Sequence, residues 1–178
     1  MNGYETHIPI LTALFEATEI NTVIEFGMGD YSTPFFLRRV QRLVSVEQQD
    51  KEWYRRTAER YAAEPGGCKW AHCYRPVGTD MGLPLIQQCE NDVLGFVDGH
   101  HAFRVAAVNA MLEHGLKTVV IHDTGLVDYY KLRELLLPYG YNHYTYRHVK
   151  LHPRTTVITQ LDLRLMQVQG HTPWFLGL

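Results

Sequence analysis

The run Thr22-Val-Ile-Glu-Phe-Gly-Met-Gly-Asp-Tyr-Ser-Thr-Pro34, with Leu43-Val-Ser-Val-Glu47 after it, decides how this chain folds. Val23, Ile24 and Phe26 suit a buried strand, while Gly27 and Gly29 allow a sharp turn with close backbone approach. Thr33-Pro34 reads as an N-cap followed by a first-turn proline. A second buried strand then ends on an acid, Glu47, eighteen residues past Gly29. Strand, glycine turn, helix, strand and carboxylate form a βαβ unit, and such units present their ligand edge at the carboxyl ends of a parallel sheet.

In nucleotide-binding α/β folds an acid about 20 residues beyond the glycines accepts hydrogen bonds from a ribose diol. Glu47 is placed for that task, with one bond expected from each hydroxyl, so an adenosine-type ligand is expected. A dinucleotide fingerprint wants a third glycine where this chain has Ser32, and it offers helix N-terminal amides to a pyrophosphate, which an acidic rim repels. Glu25 and Asp30 flank the turn. A ligand bearing positive charge, such as the ammonium and sulfonium of S-adenosylmethionine, suits that rim better. Alone, the two glycines would signify only a tight turn; the spacing to Glu47 favours the ligand.

Working outward, 178 residues with 46% hydrophobic and 20% charged side chains suffice for one well-buried domain, and a single domain over 1–178 is expected. A net charge of −2 gives no footprint for nucleic acid or an anionic membrane. No apolar run is long enough to span a bilayer, and the N-terminus lacks a basic-then-apolar signal pattern, so the expectation is a cytoplasmic protein. Cys68, Cys73 and Cys89 are odd in number and lack a Cys-x-x-Cys spacing, so reduced thiols are expected. Of the ten histidines, dispersed ones such as His7, His72, His114 and His171 read as surface or hydrogen-bonded residues, and His143, His148 and His152 as structural.

Strand-like and helix-like segments alternate without repeats, which predicts successive βα units. The helices read as Ile8 to Ala17, Pro34 to Val40, Lys51 to Ala63, a proline-interrupted Asp80 to Cys89, Ala102 to His114, and Tyr129 to Leu137. Besides the two strands above, Trp70 to Tyr74, Asp92 to Val97 and Lys117 to His122 read as strands, and Tyr141 to Arg147 with Arg154 to Gln160 as a late hairpin. Residues 161–178 form a tail whose structure the pattern leaves open; its apolar Pro173-Trp-Phe-Leu176 would pack on the core, cover the site or join another subunit.

Two later strand ends, Asp98-Gly-His-His101 and His122-Asp123, fall on the edge that carries Gly27, Gly29 and Glu47. Carboxylates and imidazoles converging on one cleft suit a general base or an oxygen- and nitrogen-ligated divalent ion. Against this, Asp98 and Asp123 also read as helix caps, adjacent His100 and His101 diverge in a turn, and His122 reads more readily as a residue buried between sheet and helix than as a catalytic one.

Glu25-Phe-Gly-Met-Gly with Ser32-Thr33, the acid Glu47, Phe96-Val-Asp-Gly99 and Val120-Ile-His-Asp-Thr124 together resemble the Rossmann-like core of class I S-adenosylmethionine-dependent methyltransferases, over roughly Ile8 to Gln160. The resemblance implies a doubly wound, mostly parallel sheet of about seven strands, the last antiparallel, with helices on both faces. It implies S-adenosylmethionine as cofactor, bound by Glu25, Phe26, Gly27, Gly29, Ser32, Thr33, Glu47, Gln48 and Asp98. The Asn/Asp-Pro-Pro-Tyr/Phe element of many amino-group methyltransferases is absent after the fourth strand, which favours an oxygen acceptor. Asp98 and His122-Asp123 are similar to positions that hold a divalent ion, Mg²⁺ or another, in catechol-type relatives, with Thr124 where a third acid would stand.

The resulting expectation is O-methylation of a small hydroxylated acceptor, of sugar or natural-product type, with Asp98, His100, His101 and His122 as catalytic candidates and Asp98 and Asp123 as metal candidates. Within that set, His101 or His100 reads as base with Asp98 orienting it. Tyr129, Tyr130, Tyr141, Tyr144 and Tyr146 are candidates to stack on the acceptor. Rival readings are a nucleoside-binding protein without catalysis, a metal-dependent oxygenase or hydrolase on the same scaffold, and an NAD-type oxidoreductase, the last disfavoured by Ser32 and the acidic turn. Nucleic acid is an unlikely partner on charge, and the tail is a candidate for homo-oligomer contacts.

Overall fold

The computed structural model describes residues 5–63, 67–90, 92–126, 129 and 131–174, with the backbone alone at 173 and 174. Its helices are α1 (Ile8–Ala17), α2 (Ser32–Leu37), α3 (Lys51–Tyr61) and α4 (Arg104–Glu113). Its strands are β1 (Thr22–Phe26), β2 (Arg42–Glu47), β3 (Lys69–Tyr74), β4 (Leu94–Val97), β5 (Thr118–Ile121), β6 (Asn142–His148), β7 (Arg154–Thr159) and β8 (His171–Trp174). They form one sheet in the order β3-β2-β1-β4-β5-β7-β6-β8. Strands β3, β2, β1, β4 and β5 are parallel; β7 lies antiparallel between β5 and β6, so β6 runs with the parallel set.

The sheet is apolar on both faces because successive side chains point to opposite sides. Val23, Leu43, Leu94, Phe96 and Val120 join Ile10, Leu11 and Leu14 of α1 and Phe35 and Phe36 of α2 in one core layer. Ile24, Phe26, Val46, Val97, Val119 and Ile121 face the other way, onto Ala107, Val108, Met111 and Leu112 of α4. Strands buried on both faces need helices on both faces, as a parallel sheet requires. Among the described residues no helix is long and apolar enough to cross a membrane.

Three elements differ from expectation. His171–Trp174 adds an eighth strand, antiparallel on the edge of β6, in the tail the pattern left open; residues 175–178 of that tail lie outside the described residues. The helix expected over Asp80 to Cys89 is a 3₁₀ segment, Leu83–Gln88. The helix expected over Tyr129 to Leu137 is reduced to a 3₁₀ turn, Leu132–Glu134. There Pro138 disfavours helical geometry at Leu137. In addition, the Asn109 side chain takes the Leu136 N–H at 3.0 Å and donates to the Glu134 carbonyl at 3.4 Å, replacing helical partners.

The carboxyl ends of β2, β1, β4 and β5 stand side by side. In that order they deliver residues 47–50, 27–30, 98–101 and 122–123 to a single edge.

Candidate functional site

Every amide of the glycine turn is already committed. Gly27 N donates to the Val46 carbonyl at 2.8 Å, Met28 N to Glu47 Oε2 at 3.0 Å and Gly29 N to Thr33 Oγ1 at 3.0 Å. Gly27 has φ +93°, and a Cβ built on it would lie 2.6 Å from both the Asp98 carbonyl carbon and Gly99 N. Only glycine fits a position that needs both the left-handed region and contact with the next strand's backbone.

Glu25 sits beneath this turn, not on its rim. It is fully buried, and its Oε2 accepts from Thr33 Oγ1 at 2.9 Å and Ser45 Oγ at 2.8 Å. Burial pushes its pKa up to about 7 against the opposing hydrogen bonds from Ser32, Ser45 and Thr33. Thr33 is no N-cap; α2 starts at Ser32, and the Thr33 hydroxyl is turned instead to bridge Glu25 and Gly29. Phe26 belongs to the core layer under α4.

Glu47 points at the turn. Its Oε1 accepts from Gln48 N at 2.9 Å and Gln49 N at 2.7 Å, and its Oε2 from Met28 N. Burial raises its pKa while the amides of Gln49, Gln48, Met28 and Asp50 pull it back. A carboxylate offers about four acceptor directions; three take short hydrogen bonds from the chain, and only the fourth is left toward the cavity. Gln48 is buried and donates its Nε2 to the Met81 carbonyl at 2.8 Å, fastening the segment after β3 to the site.

A cavity of about 530 Å³ opens between these elements. Gly27, Gly29, Ser32, Glu47 and Asp98 line it, whereas Glu25, Phe26, Thr33 and Gln48 support it from behind. Over β2 its wall is Gln49, Asp50, Trp53 and Arg56, none of them foreseen as lining residues from the sequence. Asp50 caps α3 by accepting from Glu52 N at 2.7 Å and Trp53 N at 2.9 Å, and Trp53 donates its Nε1 to the Met28 carbonyl at 2.7 Å. The signal was present: the first turn of the helix after the acid-bearing strand must face the same edge. Asp30 also lines the cavity but is paired with Arg60 at 2.5 Å. Acidic character toward the cavity therefore comes from Glu47 and Asp50, set against Arg56.

At the β4 end, Asp98 Oδ1 is 2.9 Å from Arg104 Nη2 and Asp98 Oδ2 is 3.2 Å from His122 Nδ1. Arg104 is 3% exposed and also donates to the carbonyls of Gly99 and His122. Burial works to raise the Asp98 pKa, but the charge and hydrogen bond of His122, then Arg104, hold it well below the usual carboxylate range. Burial likewise works to lower His122, and Asp98, helped by Asp123, raises it above its ordinary value. Asp98, His122 and Asp123 each bring one ligand atom within 4.8 Å of the others. They do not fit a divalent ion well: one Asp98 oxygen is taken by Arg104 and the other by His122, and an ion would have to displace them.

His100 and His101 do not line the cavity. His100 Nδ1 accepts from Ala102 N at 3.2 Å, capping the 3₁₀ turn His101–Phe103, and His101 stacks on Tyr129 with ring centroids 4.8 Å apart. Tyr144 and Tyr146 are core residues and Tyr141 donates to the Leu116 carbonyl, so none of them is presented to an acceptor; Tyr130 lies outside the described residues. His72 bonds Tyr54, His114 the Cys89 carbonyl and His171 the Gln169 carbonyl, while the three cysteines are free thiols. His7 departs from expectation: it is 2% exposed, lines the cavity, and neither ring nitrogen has a hydrogen-bond partner among the described residues. It precedes the lead-in helix, and no sequence pattern reveals that the start of α1 docks at the carboxyl edge.

No protein-family model matches the chain, and no curated protein is similar to it in sequence. Its fold is that of solved methyltransferases. The O-methyltransferase TomG of Streptomyces achromogenes, involved in tomaymycin synthesis and solved in complex with SAM, superposes with TM-score 0.65 at 17% identity over 85% of this chain and 77% of that one. An O-methyltransferase from Bacillus cereus in complex with SAH gives 0.64 at 15% identity over 86% and 80%. A methyltransferase-like protein from Silicibacter pomeroyi gives 0.55 at 17% identity over 89% and 88%. The eight-stranded sheet is thus the Rossmann-like methyltransferase fold with one added edge strand.

Proposed function

We propose that the cavity binds S-adenosylmethionine and that the chain is a methyltransferase acting on the oxygen of a small hydroxylated acceptor. One observation carries the reading: the amides of the glycine turn are consumed by Val46, Glu47 and Thr33, so the turn has none left to cradle a pyrophosphate. A dinucleotide draws on turn amides together with those at the helix start. A nucleoside that carries a sulfonium does not, and the acids Glu47 and Asp50 suit its positive charge. The solved neighbours bound to SAM and SAH support the same choice.

In this reading Glu47 takes a ribose hydroxyl, Trp53 and Arg56 flank the base over β2, and the sulfur end extends across the turn toward Asp98. When bound, S-adenosylmethionine supplies an activated methyl group, so the chain needs no covalent intermediate. The protein's part is to hold an acceptor oxygen in line, and such positioning is worth roughly 7–11 kcal/mol. Asp98, locked by Arg104 and His122, is a fixed polar wall for the sulfonium end, not a mobile base.

Calorimetry with S-adenosylmethionine, S-adenosylhomocysteine and NAD tests the ligand. The two sulfur nucleosides should bind, NAD should not, and Mg²⁺ should leave affinity unchanged. Methyl transfer to a panel of phenols, catechols and sugars, followed by mass, tests the reaction. NAD binding without sulfur-nucleoside binding refutes the proposal; binding with no product across the panel refutes its catalytic half.

A further inference from the structure

The imidazole of His7 is the one unexplained polar group in the cavity wall. Its backbone is tied down, the carbonyl accepting from Leu11 N at 3.0 Å at the start of α1, but its side chain makes no cap. The ring is wedged 4.4 Å from the His122 ring and 5.2 Å from Phe96. A buried donor or acceptor left unpaired is destabilising, and a neutral imidazole here carries one of each. Of the cavity-lining side chains among the described residues, His7 alone holds buried polar atoms without a partner. Such an orphan calls for an explanation.

Position supplies one. The strand order β2-β1-β4 lays out the cavity as the Glu47 end, the glycine turn, then Asp98 and His7. If the nucleoside lies over β2, the sulfur end lies beside His7. We propose that His7 is the catalytic residue facing the methyl acceptor, taking the hydrogen bond of the acceptor hydroxyl and then its proton. This rests on the S-adenosylmethionine reading above. The step balances. The O–CH₃ bond forms with an oxygen lone pair as the S–CH₃ bond breaks, its electron pair staying on sulfur as thioether. The O–H electrons stay on oxygen, and the proton passes to the bare His7 nitrogen, from which solvent removes it. One positive charge leaves sulfur as one arrives on the imidazole, with Asp98 nearby throughout. Burial and then the His122 charge push His7 down to about 3 against Asp98, so the ring enters the reaction neutral and takes the proton only as the O–CH₃ bond forms and the oxygen becomes oxonium-like and strongly acidic.

The test uses the full chain with ¹⁵N-labelled histidine, the His7 signals being those lost in His7→Asn. Expected is one bare and one protonated ring nitrogen at neutral pH, and a larger difference at His7 than at any other histidine between the S-adenosylmethionine and S-adenosylhomocysteine complexes. Two protonated nitrogens, or the same spectrum in both complexes, overturn the assignment. His7→Asn and the volume-filling His7→Phe should keep S-adenosylhomocysteine affinity within about threefold while turnover on the hydroxylated panel falls about 100-fold or more, the range of a lost general base. Undiminished turnover in both variants overturns it. Failure of either sulfur nucleoside to bind wild-type protein overturns the parent reading instead, so the two failures are distinct.

Discussion

Glu47→Gln is the sharpest probe of the site, because the carboxylate holds three backbone amides with two oxygens. An amide side chain can keep its oxygen toward Gln48 N and Gln49 N, but its NH₂ then faces Met28 N–H at the 3.0 Å now spanned by a hydrogen bond. Flipping the amide sets NH₂ against two donors instead. Either way a buried amide loses its partner, a cost of about 1–3 kcal/mol. Burial already disfavours the charged form of Glu47, so removing the charge returns part of that and the net loss falls near the lower end. The ligand loses more. One clean charge-assisted bond to a ribose hydroxyl, about 1.5–3 kcal/mol, corresponds to roughly 10- to 150-fold weaker binding. Urea unfolding measures the first quantity and calorimetry with S-adenosylhomocysteine the second. Wild-type affinity in a folded Glu47→Gln protein would refute the ribose assignment, and wild-type stability would refute the account of the turn.

Gly27→Ala combines a left-handed backbone with a Cβ 2.6 Å from the Asp98–Gly99 peptide, and should cost about 2–5 kcal/mol in urea unfolding; a wild-type midpoint refutes the packing. Glu25 has a folded pKa raised to about 7 from 4.5, so its contribution is full below 4.5 and is lost as pH rises through 7. Glu25→Gln should therefore gain stability relative to wild type between pH 5 and 8, by roughly 3 kcal/mol at most, and a pH-independent difference counts against it. Asp98→Asn strands the buried Arg104 and should destabilise by about 3–5 kcal/mol while lowering the His122 pKa by NMR; unchanged stability and titration would show the cluster to be inert. Binding of S-adenosylhomocysteine should change the fluorescence of Trp53, and Trp53→Phe should abolish that change; a response that survives the substitution comes from elsewhere.

The sheet was readable because its evidence is local. Val23 to Phe26, Leu43 to Val46 and Val119 to Ile121 are buried runs, apolar but for Glu25 and Ser45, and that pattern points to parallel central strands. The Gly27, Gly29 and Glu47 triplet was readable for the same reason, since turn and acid lie in one βαβ unit. What failed was tertiary. Glu25 looked like a rim acid because its strand position was known but not that Ser45 and Thr33 would close over it. The apolar run ending at Leu137 has helical propensity, yet Asn109, on α4, captures its backbone. His7 sits more than a hundred residues from His122, its neighbour in space, and no spacing rule spans that gap.

The absent Cβ of Gly27 lets the loop after β1 rest directly on the peptide joining Asp98 to Gly99. Two loops on adjacent strands are thereby welded into a single body with no side chain between them to act as a cushion. Redesign of donor preference at the turn would carry the Asp98 wall along with it, so variation in what the site accepts is better sought at the α1 start, where the His7 side chain hydrogen-bonds to neither loop.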